Sequence, residues 1–143
     1  MKVLFVCTWN IHRSRFAEEV FNYLAKKSNS KHQAFSAGFR VGDYSFRTIY
    51  YPVLDNLKKL NIVPLRPNDF SKHIDDVDLS EYDRIICMNE DEHKPMVLAN
   101  PSLQNDLFEY WDIIDQPKVK SEISLQKCYQ KVKKLLSDFE FSG

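Results

Sequence analysis

The chain has 143 residues, of which 43% are hydrophobic and 28% charged, with 20 lysines and arginines balanced by 20 aspartates and glutamates. That length fits one domain, expected over residues 1–143, and the composition excludes a disordered polyelectrolyte or a coiled-coil rod. Zero net charge argues against a general nucleic-acid binder or a protein held on anionic membranes, since both depend on excess positive charge.

Lys2 is followed by a five-residue apolar run ending at Cys7, too short for the apolar core of a secretion signal. Rich in β-branched and aromatic residues, that run predicts a strand buried on both faces of a parallel sheet. Phe16, Val20, Tyr23, Leu24 and Lys27 then follow helical spacing, with Glu18 and Glu19 in the early turns, where the helix dipole favours acid. A second short strand is expected over Gln33–Gly38, and a helix between Tyr50 and Ile62 that carries Val53, Leu54, Leu57 and Leu60 on one face and stops at Asn61. Residues 64–80 are polar and turn-rich. Tyr82–Met88 predicts a third strand, Asn89 opens a further helix that contains Pro95, and Phe108–Ile114 predicts a fourth strand. Leu125, Cys128, Val132, Leu135, Leu136 and Phe139 form the apolar stripe of a closing helix, whose wet side carries Lys131, Lys133 and Lys134. Alternating strands and helices predict an α/β fold: an open four-stranded parallel sheet flanked by helices on both faces, with ligands at the carboxyl ends of the strands.

The segment Cys7-Thr8-Trp9-Asn10-Ile11-His12-Arg13-Ser14 sits where the first strand hands over to a helix N-terminus. Five residues between a cysteine and an arginine suffice to wrap a phosphate-binding loop around one tetrahedral oxoanion, with successive backbone N–H groups forming an anion nest. Arg13 adds a fixed fork of donors for two oxygens, and the same positive groups favour the Cys7 thiolate. Thiolate and oxoanion then share one cradle, the geometry of nucleophilic attack on phosphorus. Ser14 has a hydroxyl to donate to the sulfur, and Asn10 tolerates the left-handed backbone that a tight loop needs.

These residues resemble the low-molecular-weight protein tyrosine phosphatase family, and the likeness runs nearly the full length. The family's strand, Cys-x-Gly-Asn-x-Cys-Arg-Ser-Pro loop and Ala-Glu helix are matched by Val6 through Arg15 and by Ala17-Glu18; its Ser-Ala-Gly by Ser36-Ala37-Gly38; its Tyr-Asp-x-Ile-x-Cys-Met strand by Tyr82 through Met88. The resemblance implies a phosphoric monoester hydrolase that works through a cysteinyl-phosphate on Cys7, with Arg13 and loop residues 8–14 binding phosphate, and that needs no metal or cofactor. It implies that Asn10, Ser14 and Ser36 support the loop, Ser36 by hydrogen bonding Asn10. The general acid of the family, an aspartate in an Asp-Pro loop, corresponds to Asp115, which precedes Gln116 and Pro117. Substrates would be phosphorylated proteins or small aryl phosphates, with inorganic phosphate and other oxoanions as ligands.

The chain also departs from the family. Trp9 stands for Gly, His12 for the second Cys and Arg15 for Pro. Trp9 is either a wall of the mouth or a partial closure, and His12 either supports the thiolate or fills the space of a thiol. Lys118 and Val119 replace the family's aromatic pair, Tyr44 and Phe46 being either a substitute ring-stacking wall or partial core, and Asp69 stands for a histidine ahead of Lys72-His73, a strut of the loop-holding network. Two other readings remain: a phosphate-binding module without turnover, and an arsenate reductase, which resembles this chain at the same loop but relays oxidation through further cysteines. Cys87 and Cys128 read as inert core. His32, His73 and His93 read as solvated, and Asp75, Asp76 and Asp78 as a solvated loop face.

Overall fold

The computed structural model describes residues 1–41, 48–104, 106–115 and 118–142. Strand β1 (Lys2–Cys7) leads through the loop into helix α1 (Arg13–Lys27); β2 (Gln33–Gly38), α2 (Tyr51–Lys59), β3 (Arg84–Cys87), α3 (Glu90–Leu98), β4 (Phe108–Tyr110) and α4 (Ser121–Ser142) follow. The strands form one four-stranded sheet in the order β2-β1-β3-β4, with every pairing parallel. From β1 the order runs outward in both directions, so its carboxyl end lies at the switch point where open α/β sheets bind ligands.

Alternation along β1 builds two cores. Val3, Phe5 and Cys7 face α1, α2 and the apolar stripe of α4, whereas Leu4 and Val6 face Ile74, Val97 of α3 and Leu103. The helices therefore cover both faces. Asn29 and Asn61, at φ 59°, follow α1 and α2 in the left-handed conformation that ends helices, as expected of Asn61. Among the described residues no helix is long and apolar enough to cross a membrane.

The structure trims three expected elements. The second helix ends at Lys59 and the third strand spans only Arg84–Cys87. The fourth strand pairs only as far as Tyr110; beyond it Trp111 still donates to Cys87 O at 2.8 Å, but Asp112 forms an isolated antiparallel bridge to Asn89, turning the chain across the sheet end. Glu18 and Glu19 are not dipole partners: α1 starts at Arg13, leaving its first turn without acid. They are buried instead, Glu18 against Arg15, Arg66 and Ser36, and Glu19 accepting the Leu65 and Arg66 N–H groups.

Candidate active site

The loop between β1 and α1 is fixed through its carbonyls. Phe39 N–H donates to Cys7 O (3.1 Å), Arg40 N–H to Thr8 O (2.9 Å), Ser71 Oγ to Asn10 O (3.0 Å), Tyr50 N–H to Ile11 O (2.8 Å) and Phe16 N–H to His12 O (3.0 Å). In a trans peptide the following N–H points opposite to the carbonyl. Holding these five carbonyls on the surrounding scaffold thus aims the N–H groups of Thr8, Trp9, Ile11, His12 and Arg13 away from it, the polarity an anion cradle requires.

Asn10 makes the bend, at φ 54°, and its side chain braces it: Nδ2 donates to Ser14 Oγ (2.9 Å) while Oδ1 accepts from Lys72 N–H (2.9 Å). Gly38 permits the close approach of β2, because a Cβ there would lie 2.8 Å from Thr8 O and 2.9 Å from Asn10 N. The resemblance implies a bond from Ser36 to Asn10, but the Ser36 hydroxyl donates instead to Glu18 Oε1 at 2.5 Å. The strut expected near Asp69 comes from Ser71 and the Lys72 backbone, whose contacts need no particular side chain at position 69.

The Cys7 Sγ lies 2.9 Å from Ser14 Oγ and is almost wholly buried. Arg13 is 1% exposed. Its Nη1 donates to Ile113 O at 2.9 Å, its Nη2 lies 2.6 Å from Glu92 Oε2 and 3.4 Å from Asp115 Oδ2, and its Nε is buried with no partner among the described residues. Asp115 Oδ1 also lies 3.2 Å from His12 Nδ1, whose ring bonds Ser121 Oγ through Nε2 at 2.8 Å. Burial pushes the Asp115 carboxyl up, but His12 and Arg13 outweigh it and hold the group below the ordinary range. His12 therefore contacts Asp115 and Ser121. Within residues 8–12 only Trp9 is not buried.

Three residues that the sequence does not single out, or reads differently, belong here. His93 is not solvated: it is fully buried, with Nδ1 accepting the Asn89 N–H at 3.1 Å and Nε2 lying 3.0 Å from Glu92 Oε2 and 3.1 Å from Thr8 Oγ1. Burial holds its imidazole below the ordinary value. Burial also pushes the Glu92 carboxyl up, but His93 and Arg13 overcome that and bring it down to about 2. The only signal was the four-residue spacing of His93 and Val97, both buried on α3. Tyr50 stands against the loop, with its ring 5.9 Å from His12 and 5.0 Å from Tyr51. Tyr44, Phe46, Gln116 and Pro117 lie outside the described residues.

Other expectations concern residues away from the loop. Cys87 and Cys128 are buried, and burial pushes both thiols up. Asp75 accepts from Asn100 and Ser102, beyond α3, and Asp78 accepts the Ser80 N–H within its own turn. Among the described residues no three His, Cys, Asp or Glu side chains are grouped to hold a metal ion.

Fold and site together define an α/β protein with a cysteine at the carboxyl end of its first strand and a buried arginine at the far end of the loop that follows. The family model for low molecular weight phosphotyrosine protein phosphatase matches residues 2–140, and the chain belongs to that family of phosphoric monoester hydrolases. Among solved structures it is similar to a low molecular weight protein tyrosine phosphatase from Streptococcus pyogenes, at 25% identity and TM-score 0.79, covering 96% of this chain and 91% of that one. A low molecular weight protein tyrosine phosphatase from T. tengcongensis is similar at 23% identity and TM-score 0.80, covering 96% and 99%. An arsenate reductase from Archaeoglobus fulgidus DSM 4304 shares 23% identity at TM-score 0.65, covering 94% and 98%. Comparison with curated proteins gives no significant match.

Proposed function

We propose that this phosphatase hydrolyses phosphotyrosine in proteins, and small aryl phosphates, through a phosphoryl group carried on Cys7. Cys7 Sγ attacks phosphorus, forming the S–P bond as the P–O bond to the aryl oxygen breaks; the Asp115 carboxyl gives its proton to that oxygen. Water then attacks the cysteinyl-phosphate, giving a proton to Asp115 as the S–P bond breaks and inorganic phosphate leaves. Loop N–H groups and Arg13 hold the charged oxygens throughout, and Ser14 Oγ, 2.9 Å from the sulfur, stabilises the departing thiolate. No step calls on a metal or a cofactor.

The observation that carries this reading is that Cys7 and Arg13 flank one loop to which Asp115 is brought from beyond β4, with Asp115 Oδ2 3.4 Å from Arg13 Nη2 and Arg13 Nε without a partner among the described residues. Burial of Cys87 and Cys128 favours phosphoryl transfer over an oxidative relay through those thiols. The chain is read as one phosphatase domain, consistent with the 2–140 match, and as a cytoplasmic protein, consistent with three free thiols. Hydrolysis of para-nitrophenyl phosphate tests the reading. The wild type is expected to turn over while Cys7→Ser binds phosphate without turnover; a wild type that binds phosphate but never hydrolyses the ester would make the chain a binding module.

A further inference from the structure

An arginine that must present two N–H groups to a moving phosphoryl group needs its plane fixed, because the side chain has several rotatable bonds and a misplacement of about 1 Å can cost on the order of 10²-fold in rate. Here the guanidinium is fixed at two corners. Ile113 O, itself placed by the 2.8 Å bond from Ile113 N–H to Met88 O at the end of β3, takes Nη1. Glu92 takes Nη2 at 2.6 Å. The second proton of Nη1, the second proton of Nη2 and the buried Nε, which has no partner among the described residues, remain, and of these the adjacent Nε–H and Nη2–H groups are a fork matched to two oxyanion oxygens.

Glu92 is held in turn. Its N–H bonds the Asn89 side chain that caps α3, at 3.0 Å, and its Oε2 lies 3.0 Å from His93 Nε2. Because Nδ1 of His93 accepts the Asn89 N–H, the ring proton resides on Nε2, which bonds Thr8 Oγ1 at 3.1 Å beside the Glu92 carboxylate. The ring packs on Phe39 at 5.5 Å, and nothing about it is exposed. One buried imidazole thereby joins the first residue after Cys7 to the carboxylate that steers Arg13. Asp115, at 3.4 Å from the same Nη2, is the looser partner and the one whose proton the reaction moves.

We propose that Glu92, anchored by His93, is the positioning residue for Arg13: it sets the guanidinium at the angle where Nε–H and Nη2–H meet the transferring phosphoryl group. The inference rests on the phosphatase reading of Arg13. The competing role for a carboxylate here is that of a counter-ion that phosphate must displace, and the two roles predict opposite effects of removal.

The test compares wild type, Glu92→Gln and Glu92→Ala in hydrolysis of aryl phosphates with good and poor leaving groups, and in competitive inhibition by inorganic phosphate and by vanadate. Vanadate adopts the five-coordinate arrangement of the transition state, so it reports Arg13 alignment more sharply than phosphate does. Glu92→Ala is expected to lower kcat by about tenfold or more with both leaving groups, since Arg13 serves both steps, and to weaken vanadate by a larger factor than phosphate. Glu92→Gln, which retains an acceptor oxygen, is expected to recover part of each loss. A partly unfolded variant would lower apparent kcat but leave both inhibition constants unchanged, so the vanadate-to-phosphate ratio separates positioning from folding. Unchanged inhibition constants, tighter phosphate in Glu92→Ala, or a loss confined to the poor leaving group would overturn the proposal. Wild-type turnover in the same assay separates failure of this inference from failure of the phosphatase reading.

Discussion

Replacing Asp115 with asparagine removes a carboxyl that can give and take a proton, and its charge, while the side chain keeps its size. The amide keeps one acceptor oxygen, which can face either His12 Nδ1, 3.2 Å from native Oδ1, or Arg13 Nη2, 3.4 Å from native Oδ2, so one of the two contacts is retained. What is lost is general acid catalysis, typically 10²–10⁴-fold, or about 2.7–5.4 kcal/mol of barrier at about 1.36 kcal/mol per tenfold. The loss appears only where the leaving oxygen needs a proton: Asp115→Asn is expected to slow cleavage of a high-pKa aryl phosphate by that factor and a low-pKa one far less. Asp112 is the control. Its side chain is 68% exposed and pairs with Lys127 at 2.9 Å and Lys131 at 3.5 Å. Such surface pairs are worth about 0–1 kcal/mol of stability, so Asp112→Asn is expected to leave both cleavage rates nearly unchanged. Pre-steady-state release of the two phenols measures the cleavage step directly. Selective loss in the Asp112 variant would transfer the role to that residue, and equal rates for Asp115→Asn and wild type on the poor leaving group would refute the reasoning.

Gly38→Ala pushes a methyl group against the loop at Thr8 O and Asn10 N, and overpacking of this kind costs about 1–3 kcal/mol, so both the urea midpoint and kcat are expected to fall; a variant as stable and active as wild type would show that β2 does not press on the loop. Iodoacetate at neutral pH is expected to alkylate Cys7 before Cys87 or Cys128, with phosphate protecting it, as peptide mapping would show; faster labelling of either buried thiol would contradict the assignment. Because burial depresses the His93 pKa, the unfolded chain binds a proton that the folded one resists, so the stability due to neutral His93 is complete above the ordinary imidazole value and is lost as pH falls below it. Urea midpoints are expected to drop between about pH 7.5 and 5.5, and to drop less for His93→Gln; equal slopes would place the pH dependence elsewhere.

Local signals made the centre of the site legible. An apolar run ending in Cys7, the spacing to Arg13, and an asparagine that accepts φ 54° are all properties of one short segment, and the structure assembles them as that segment suggests. Cys87 and Cys128 sat on apolar patterns and are core. The errors arise where a side chain's partner is distant in sequence. His93 stands among Glu, Asp and Lys and reads as solvated, yet α3 lays it against Phe39 and Thr8, elements far from it along the chain. Ser36 is drawn to Glu18 because Arg15 and Arg66 gather acid at that point, and Asn10 finds its brace in the Lys72 backbone, which no residue type announces. His12 was open between two roles, neither of them its contact with Asp115 across the loop, which depends on where the chain turns after β4.

The central claim is that the phosphoryl group passes through Cys7. Asp115→Asn, which lacks the base for the second step, mixed with an aryl phosphate, quenched in denaturant within the first turnover and digested, reports this by peptide mass spectrometry. The account predicts a phosphoryl group on the peptide that carries Cys7 and on the cysteine itself, formed in step with the burst of phenol. A burst of phenol with the phosphoryl group on Ser14, or with no phosphorylated peptide at all, would contradict it.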